Sequence, residues 1–320
     1  MELGKITTVL GDIEPNKLGF CQSHEHISIA RGYSYQVNPD LCIDDFSLTK
    51  KELESFYRAG GRAVVDAQPI GCGRQADMIE KLSMDTGVSV ISSTGFHKMQ
   101  FYPDNHWIFK LDEDTLADLF IAELLEGMFI DCDTADPLVQ KRCCAGQIKT
   151  ALDVGDFNVQ YRKLFSAAAK AANRTGAAIM IHVEKDSEPL VLAEYLQIWG
   201  VEPSQMIFCH MDRMIPNLEV HKSLCRQGAY MEYDTIAREQ YHDNPCEIKM
   251  IKELINVGFE NQLLLGLDVT RARMTSYGGT PGLTYMAEQF VPLLLENGVS
   301  QSIINKILVS NPASAFTVKK

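Results

Sequence analysis

Eight short apolar runs, each followed by a stretch of helical periodicity, constrain this chain more than any other feature of it. They are Leu18–His26, Arg62–Ala67, Val88–Gly95, Ala145–Thr150, Ala177–Val183, Met206–His210, Ala229–Asp234 and Gln262–Asp268. Several are near-continuous β-branched or apolar sequence, the composition of parallel strands covered on both faces. The helical stretches between them end at glycines. Leu48–Ala59 precedes Gly60-Gly61, Phe157–Arg174 precedes Gly176, and Pro189–Trp199 precedes Gly200. Ile248–Val257 and Met286–Glu296 stop before Gly258 and Gly298, and Ser300–Leu308 closes the series ahead of Asn311-Pro312. This alternation predicts an α/β fold, a (β/α)8 TIM barrel spanning 1–320 as a single domain. No glycine-rich fingerprint follows the first strand to favour a doubly wound nucleotide-binding sheet. Gly4–Phe20 reads as a short N-terminal β-hairpin with Gly11-Asp12 as its turn signal.

Composition narrows the function. A net charge of −12 argues against general nucleic-acid or anionic-membrane binding, while leaving room for a local basic pocket. No apolar run reaches the 18 or more residues of a membrane span, and Met1–Lys5 lacks a signal-peptide pattern. The nine cysteines are odd in number and lack CxxC pairs, as expected of reduced thiols in the cytoplasm rather than a disulfide framework. The expected partner is a small-molecule substrate, with a homodimer compatible with the sequence.

Barrels of this kind carry their reactive residues at the C-terminal ends of the strands. Those ends supply His24 and His26, Lys149, His182, His210 and Asp268. His24 and His26 stand two apart on an extended segment, so both imidazoles reach the same face. Histidines and carboxylates suit zinc, manganese, cobalt or iron. Six ligands are too many for one tetrahedral ion but fit two divalent metal ions ~3.5–4 Å apart. Two cations need an anionic bridge, and no Glu or Asp is obviously placed to supply one. Burial favours the neutral form of an amine, and a neutral lysine amine reacts with carbon dioxide to give a carbamate. A carbamate on Lys149 would be that bridge. Of the other histidines, His97 follows the third strand and can line the pocket. His106, His221 and His242 fall in polar contexts and are expected to be solvated.

These residues resemble the phosphotriesterase-like branch of the amidohydrolase superfamily. The resemblance rests on Gly19-Phe-Cys-Gln-Ser-His24-Glu-His26, Thr94-Gly, Ala145-Gly-Gln-Ile-Lys149 and Ile181-His182. It continues through Cys209-His210-Met-Asp212-Arg213, Gly266-Leu-Asp268 and Leu308-Val-Ser-Asn-Pro312-Ala-Ser-Ala-Phe316, covering essentially the whole chain in order. It implies that His24 and His26 bind a buried ion and His182 and His210 an exposed one, bridged by carboxylated Lys149. Asp268 would ligate metal and act as the catalytic proton shuttle.

Family members differ in their loops, cleaving organophosphates, lactones or phosphorylated sugar lactones. The loop after the eighth strand, Asp268-Val-Thr-Arg271-Ala-Arg273-Met-Thr-Ser-Tyr277, sets two arginines and a tyrosine beside the aspartate. Guanidinium forks of this kind hold phosphate. Arg271, Arg273 and Tyr277, with Lys185 and Arg238 and with His97 in the pocket, are therefore the expected substrate-binding residues. Arg213 can add to them. The expected activity is that of a binuclear metal-dependent lactonase opening a phosphorylated sugar lactone of the 1,4-lactone 5-phosphate type. The alternatives are a lactonase or esterase for unphosphorylated substrates with promiscuous phosphotriesterase activity, and a non-catalytic metal- or ligand-binding barrel. Phe101–Pro137 is long enough to serve as a lid.

Overall fold

A computed structural model describes residues 1–140, 143–154, 157–214 and 218–319. The hairpin pairs β1 (Ile6–Thr8) with β2 (Gly11–Ile13) in antiparallel register, Thr8 opposite Gly11. The turn is therefore Val9-Leu10, and the expected turn residues Gly11 and Asp12 lie on the second strand. Thr8 Oγ1 donates to the Gly11 carbonyl at 2.8 Å across it.

The barrel strands follow as β3 (Cys21–Glu25), β4 (Ala63–Asp66), β5 (Ser89–Ile91) and β6 (Ser93–Gly95). The small hairpin partners β7 (Phe129–Ile130) and β8 (Val139–Gln140) intervene. The barrel resumes with β9 (Gln147–Leu152), β10 (Ile179–Val183), β11 (Met206–Cys209), β12 (Tyr230–Tyr233) and β13 (Leu263–Leu265). All barrel pairings are parallel: β3-β4-β5 in one sheet and β6-β9-β10-β11-β12-β13 in the other. The third apolar run thus divides at Ser92 into a half that pairs with β4 and a half that pairs with β9. The opposite seam closes through strand one, where the Asp268 N–H donates to the His24 carbonyl at 2.9 Å. Fully buried Glu25 reinforces it, accepting the N–H groups of Leu267 (2.8 Å) and Val269 (2.9 Å). Gly266 is required here, since a Cβ would lie 2.9 Å from the His24 backbone.

Strand alternation lifts polar side chains above an apolar floor. Met180 lies one step below His182 on the same face of β10, Tyr230 below Glu232 on β12, and Leu264 below Gly266 and Asp268 at the end of β13. Met180, Tyr230 and Leu264 belong to a buried cluster with Ile207, Cys209 and Phe316 that fills the barrel's lower half. The larger core lies between strands and helices. In the helix Val159–Thr175, Leu164, Ala167, Ala168, Ala171 and Ala172 form the buried stripe, Asn158 caps the Tyr161 N–H at 3.0 Å, and left-handed Gly176 (φ 76°) ends it. Glu113–Leu125 packs against that helix through Leu116, Phe120 and Leu124. That third of the expected Phe101–Pro137 lid is therefore part of the barrel's outer ring. No helix among the described residues is long and apolar enough to cross a membrane.

Candidate metal centre

Four histidines, one lysine and one aspartate from five strands or the residues just after them meet in the barrel mouth, all of them buried. Lys149 Nζ lies 3.1 Å from His24 Nε2, and the His24 and His210 rings are 4.9 Å apart. His182 Nδ1 faces His210 Nε2 at 2.8 Å. Asp268 Oδ1 stands 3.4 Å from His26 Nε2 and 3.8 Å from His24 Nε2. Lys149 is the third residue of β9 rather than its last, because that strand runs two residues beyond the expected Thr150. His210 (φ 59°) and Asp268 (φ 48°) both adopt the left-handed backbone region, a strained state that concentrates at functional sites.

The tautomers are set by carboxylates behind the rings. Asp234 Oδ1 is 2.5 Å from His210 Nδ1, and Glu184 Oε2 is 3.3 Å from His182 Nε2. With a proton on each of those nitrogens, His210 Nε2 and His182 Nδ1 present lone pairs to one another at 2.8 Å. Burial keeps both rings neutral, lowering the His182 pKa to about 4 and that of His210 well below its usual value. Two facing lone pairs repel unless a cation lies between or beside them. Glu232 (2.8 Å) and Asp234 (3.2 Å) likewise take His24 Nδ1 and turn its Nε2 toward Lys149. Burial and Lys149 oppose a charge on His24, yet the two carboxylates prevail and lift its pKa to about 9. A divalent ion answers the same demand for positive charge. Carboxylate-oriented imidazoles are the usual support of metal ligands, and the donor set fits metal.

Asp268 is held from the other side. Its Oδ2 is 2.9 Å from the Arg238 guanidinium and 3.2 Å from that of Arg213, and Arg238 also donates to the Asp268 carbonyl. Burial alone would raise the Asp268 pKa, but Arg238 and His26 hold it well below the carboxylate range. Oδ2 is thereby anchored, and Oδ1 is left facing the histidines.

The other expected substrate residues separate. His97 lines the pocket, its ring 5.4 Å from that of His182. Arg273 turns inward and donates to the carbonyls of Ile236 (2.7 Å) and Ala237 (3.1 Å), supporting the loop that carries Arg238. Arg271 stacks on Tyr277 at 4.9 Å and pairs with Asp44, and the Tyr277 hydroxyl is engaged by Asp45 and Thr49. Lys185 is exposed. His106, His221 and His242 are not solvated as expected. His106 and His221 are buried, the first capping the Ile108 N–H and the second bonded to the Tyr233 hydroxyl at 2.7 Å, and the His242 side chain is only 4% exposed. Sequence reading missed Glu232 and Asp234, although alternation along β12 and the residue just after it sets both facing inward, two residues apart like His24 and His26.

Comparison with known proteins settles the ancestry. A model of the phosphotriesterase family matches residues 4–316. The chain belongs to the phosphotriesterase family. Within it, the chain is 29% identical to an N-acetyltaurine hydrolase of Danio rerio, across 99% of both proteins. It is also 29% identical to a phospho-furanose lactonase of Mycoplasmopsis synoviae (strain 53), over 95% of this chain and 89% of that one. A solved lactonase from Listeria monocytogenes superimposes with a TM-score of 0.89 at 28% identity, covering 99% of this chain and 100% of the other. The chain is accordingly a hydrolytic enzyme with the (β/α)8 barrel of the phosphotriesterase-like lactonases. The family depends on a binuclear metal centre, and residues able to hold metal are grouped in the mouth of this barrel.

Proposed function

We propose that this enzyme opens a phosphorylated sugar lactone of the 1,4-lactone 5-phosphate type. The observation that carries the reading is the pair of guanidiniums beside the metal ligands. Arg213 and Arg238 share one carboxylate oxygen of Asp268, and the buried Nε–H of each has no acceptor among the described residues. Such a site has spare charge-assisted donors for an anion next to a hydrolytic centre. Arg273 supports them from behind, and Arg271 and Lys185 stand further out, where they attract the anion.

In this reading His24, His26 and Asp268 would hold one divalent ion and His182 and His210 the other, and Lys149, as its carbamate, would supply the anionic charge the pair requires. Zinc best suits the donor set, with manganese, cobalt or iron also compatible. Bound there, the ions would supply hydroxide near neutral pH and polarise the scissile carbonyl. Asp268, fixed through Oδ2, uses Oδ1 to take the proton from the attacking water. The new C–O bond forms as the carbonyl π bond opens; the ring C–O bond then breaks as the carbonyl re-forms, and Asp268 returns the proton to the leaving ring oxygen. The product carboxylic acid then ionises, releasing a proton to solvent. His97 lies beside His182, where it can contact the sugar.

One specific observation supports a second reading, the hydrolysis of an acylated amino-sulfonate amide. The Danio rerio relative named for N-acetyltaurine matches across 99% of both chains. Both substrate types combine a carbonyl with the oxyanion of a strong acid. The test is hydrolysis by metal-loaded enzyme of a five-carbon 1,4-lactone and its 5-phosphate, followed by proton release, and of N-acetyltaurine, followed by the free amine formed, since amide hydrolysis near neutral pH leaves its proton on the amine. A large preference for the phosphorylated lactone is expected. Equal rates on the two lactones would refute phosphate recognition, and preference for N-acetyltaurine would replace the reading with the second one.

A further inference from the structure

A further group of side chains with the donor types of a metal site lies outside the catalytic cluster and shares no residue with it. Asp212 follows β11, His242 lies in the loop after β12, and Glu247 sits in the first turn of the helix Asn244–Asn256. Asp212 and Glu247 are fully buried, and their ligand atoms and that of His242 lie within 4.8 Å of one another. His242 Nε2 is 3.1 Å from Glu247 Oε2 and 3.9 Å from Asp212 Oδ2, with Thr235 Oγ1 at 3.4 Å.

What sets this group apart is its lack of donors. Asp212 Oδ2 accepts the Thr235 N–H at 2.6 Å, but Asp212 Oδ1 and both oxygens of Glu247 accept no hydrogen bond among the described residues. His242 Nδ1 faces the Asp243 carbonyl at 3.4 Å, so Nε2 is the nitrogen left with a lone pair. Burial disfavours a charge on this imidazole. The neighbouring guanidinium of Arg213 is turned away, bonded to Asp268 and stacked on Tyr241 at 4.6 Å. Two buried carboxylates and an imidazole lone pair converge, and burial of like charges without a counter-ion is strongly unfavourable.

We infer that Asp212, His242 and Glu247 form a structural site for a divalent cation, separate from the catalytic pair. Two carboxylate oxygens and one imidazole nitrogen suit zinc or manganese, and the enclosure marks the site as structural rather than open to substrate. An ion there joins the loop after β11, which carries Arg213, to the loop after β12, which carries Arg238. It thereby stiffens the two arms that hold Asp268. A proton shared between Asp212 and Glu247 is the competing way to relieve the same repulsion.

The test is metal content per chain, by plasma mass spectrometry, after apo-protein is reloaded with zinc or manganese and desalted. Glu247→Gln and His242→Asn should each hold one ion fewer than wild type. The loss should add to that caused by His182→Ala, since the sites are independent. Should Glu247→Gln fail to fold, His242→Asn, nearer the surface, supplies the count. Equal metal content in wild type and either variant would overturn the assignment in favour of the shared proton.

Discussion

Arg238 is predicted to serve both catalysis and recognition, and replacing it with Gln should separate the two. Its guanidinium lies 2.9 Å from Asp268 Oδ2 and also donates to the Asp268 carbonyl, whereas Arg213 contributes a single longer contact at 3.2 Å. A hydrogen bond to a charged group contributes about 1.5–3 kcal/mol. Losing the bond that fixes Oδ2 therefore lowers turnover roughly 10- to 100-fold on any substrate, at about 1.4 kcal/mol per tenfold. A phosphorylated substrate loses a second charge-assisted bond, with a further factor of about 10–100. For Arg238→Gln we expect kcat/KM to fall about 10–100-fold on the plain lactone and about 10²–10⁴-fold on its 5-phosphate. Proton-release kinetics on the matched pair measure both. An equal loss on the two lactones would refute the anion contact, and unchanged kcat on the plain lactone would refute the positioning of Asp268.

Three further outcomes follow from the fold. Arg74 and Glu123 form a fully buried two-pronged ion pair, with Arg74 also donating to the Ser93 and Phe129 carbonyls. Glu123→Gln should cost about 3–5 kcal/mol in urea unfolding by stranding the guanidinium, and Arg74→Met with Glu123→Leu should recover most of it; equal losses in the single and double variants would contradict this. A Cβ at Gly95 (φ 96°) would overlap the Lys149 carbonyl, so Gly95→Ala should lose more than ~2 kcal/mol of stability and release metal more readily to a chelator. Undiminished metal retention would contradict it. Burial lowers the pKa of His106 and His221 from 6.5 to about 4. Both bind a proton more readily unfolded, so their contribution is complete above pH ~6.5 and is lost as pH falls from there toward 4, about 3 kcal/mol each. Chelator-treated His106→Gln, His221→Gln protein should lose less stability than wild type between pH 7 and 4.5, and parallel losses would exclude the effect.

The barrel and the side-chain cluster in its mouth were readable because both rest on short-range rules. Near-continuous apolar runs, glycine helix ends and polar strand termini place His24, His26, His182, His210 and Asp268 without tertiary information. Lys149 was singled out near the end of the fourth run, and its bridging role was inferred for want of another anion. What escaped depends on partners remote in sequence. Glu232 and Asp234 matter because β12 lies beside β11, which leads to His210, and only β13 separates it from β3, which carries His24. The division of Val88–Gly95 at Ser92 follows from its two halves pairing with different neighbours. Arg271 and Arg273 were grouped by adjacency in sequence, yet the 3-10 turn Arg271–Arg273 sends them apart, one to Asp44 and the other to the Ile236 carbonyl. His221 looked solvated because its helix is polar, but it occupies that helix's inner face and meets Tyr233.

The most direct test of the proposed centre is a crystal structure of the metal-loaded enzyme with anomalous scattering recorded at the edge of the bound metal. The account predicts one peak among His24, His26 and Asp268, a second between His182 and His210, and a planar carboxylate on Lys149 Nζ spanning them. Two ions beside an unmodified Lys149 ammonium would contradict it.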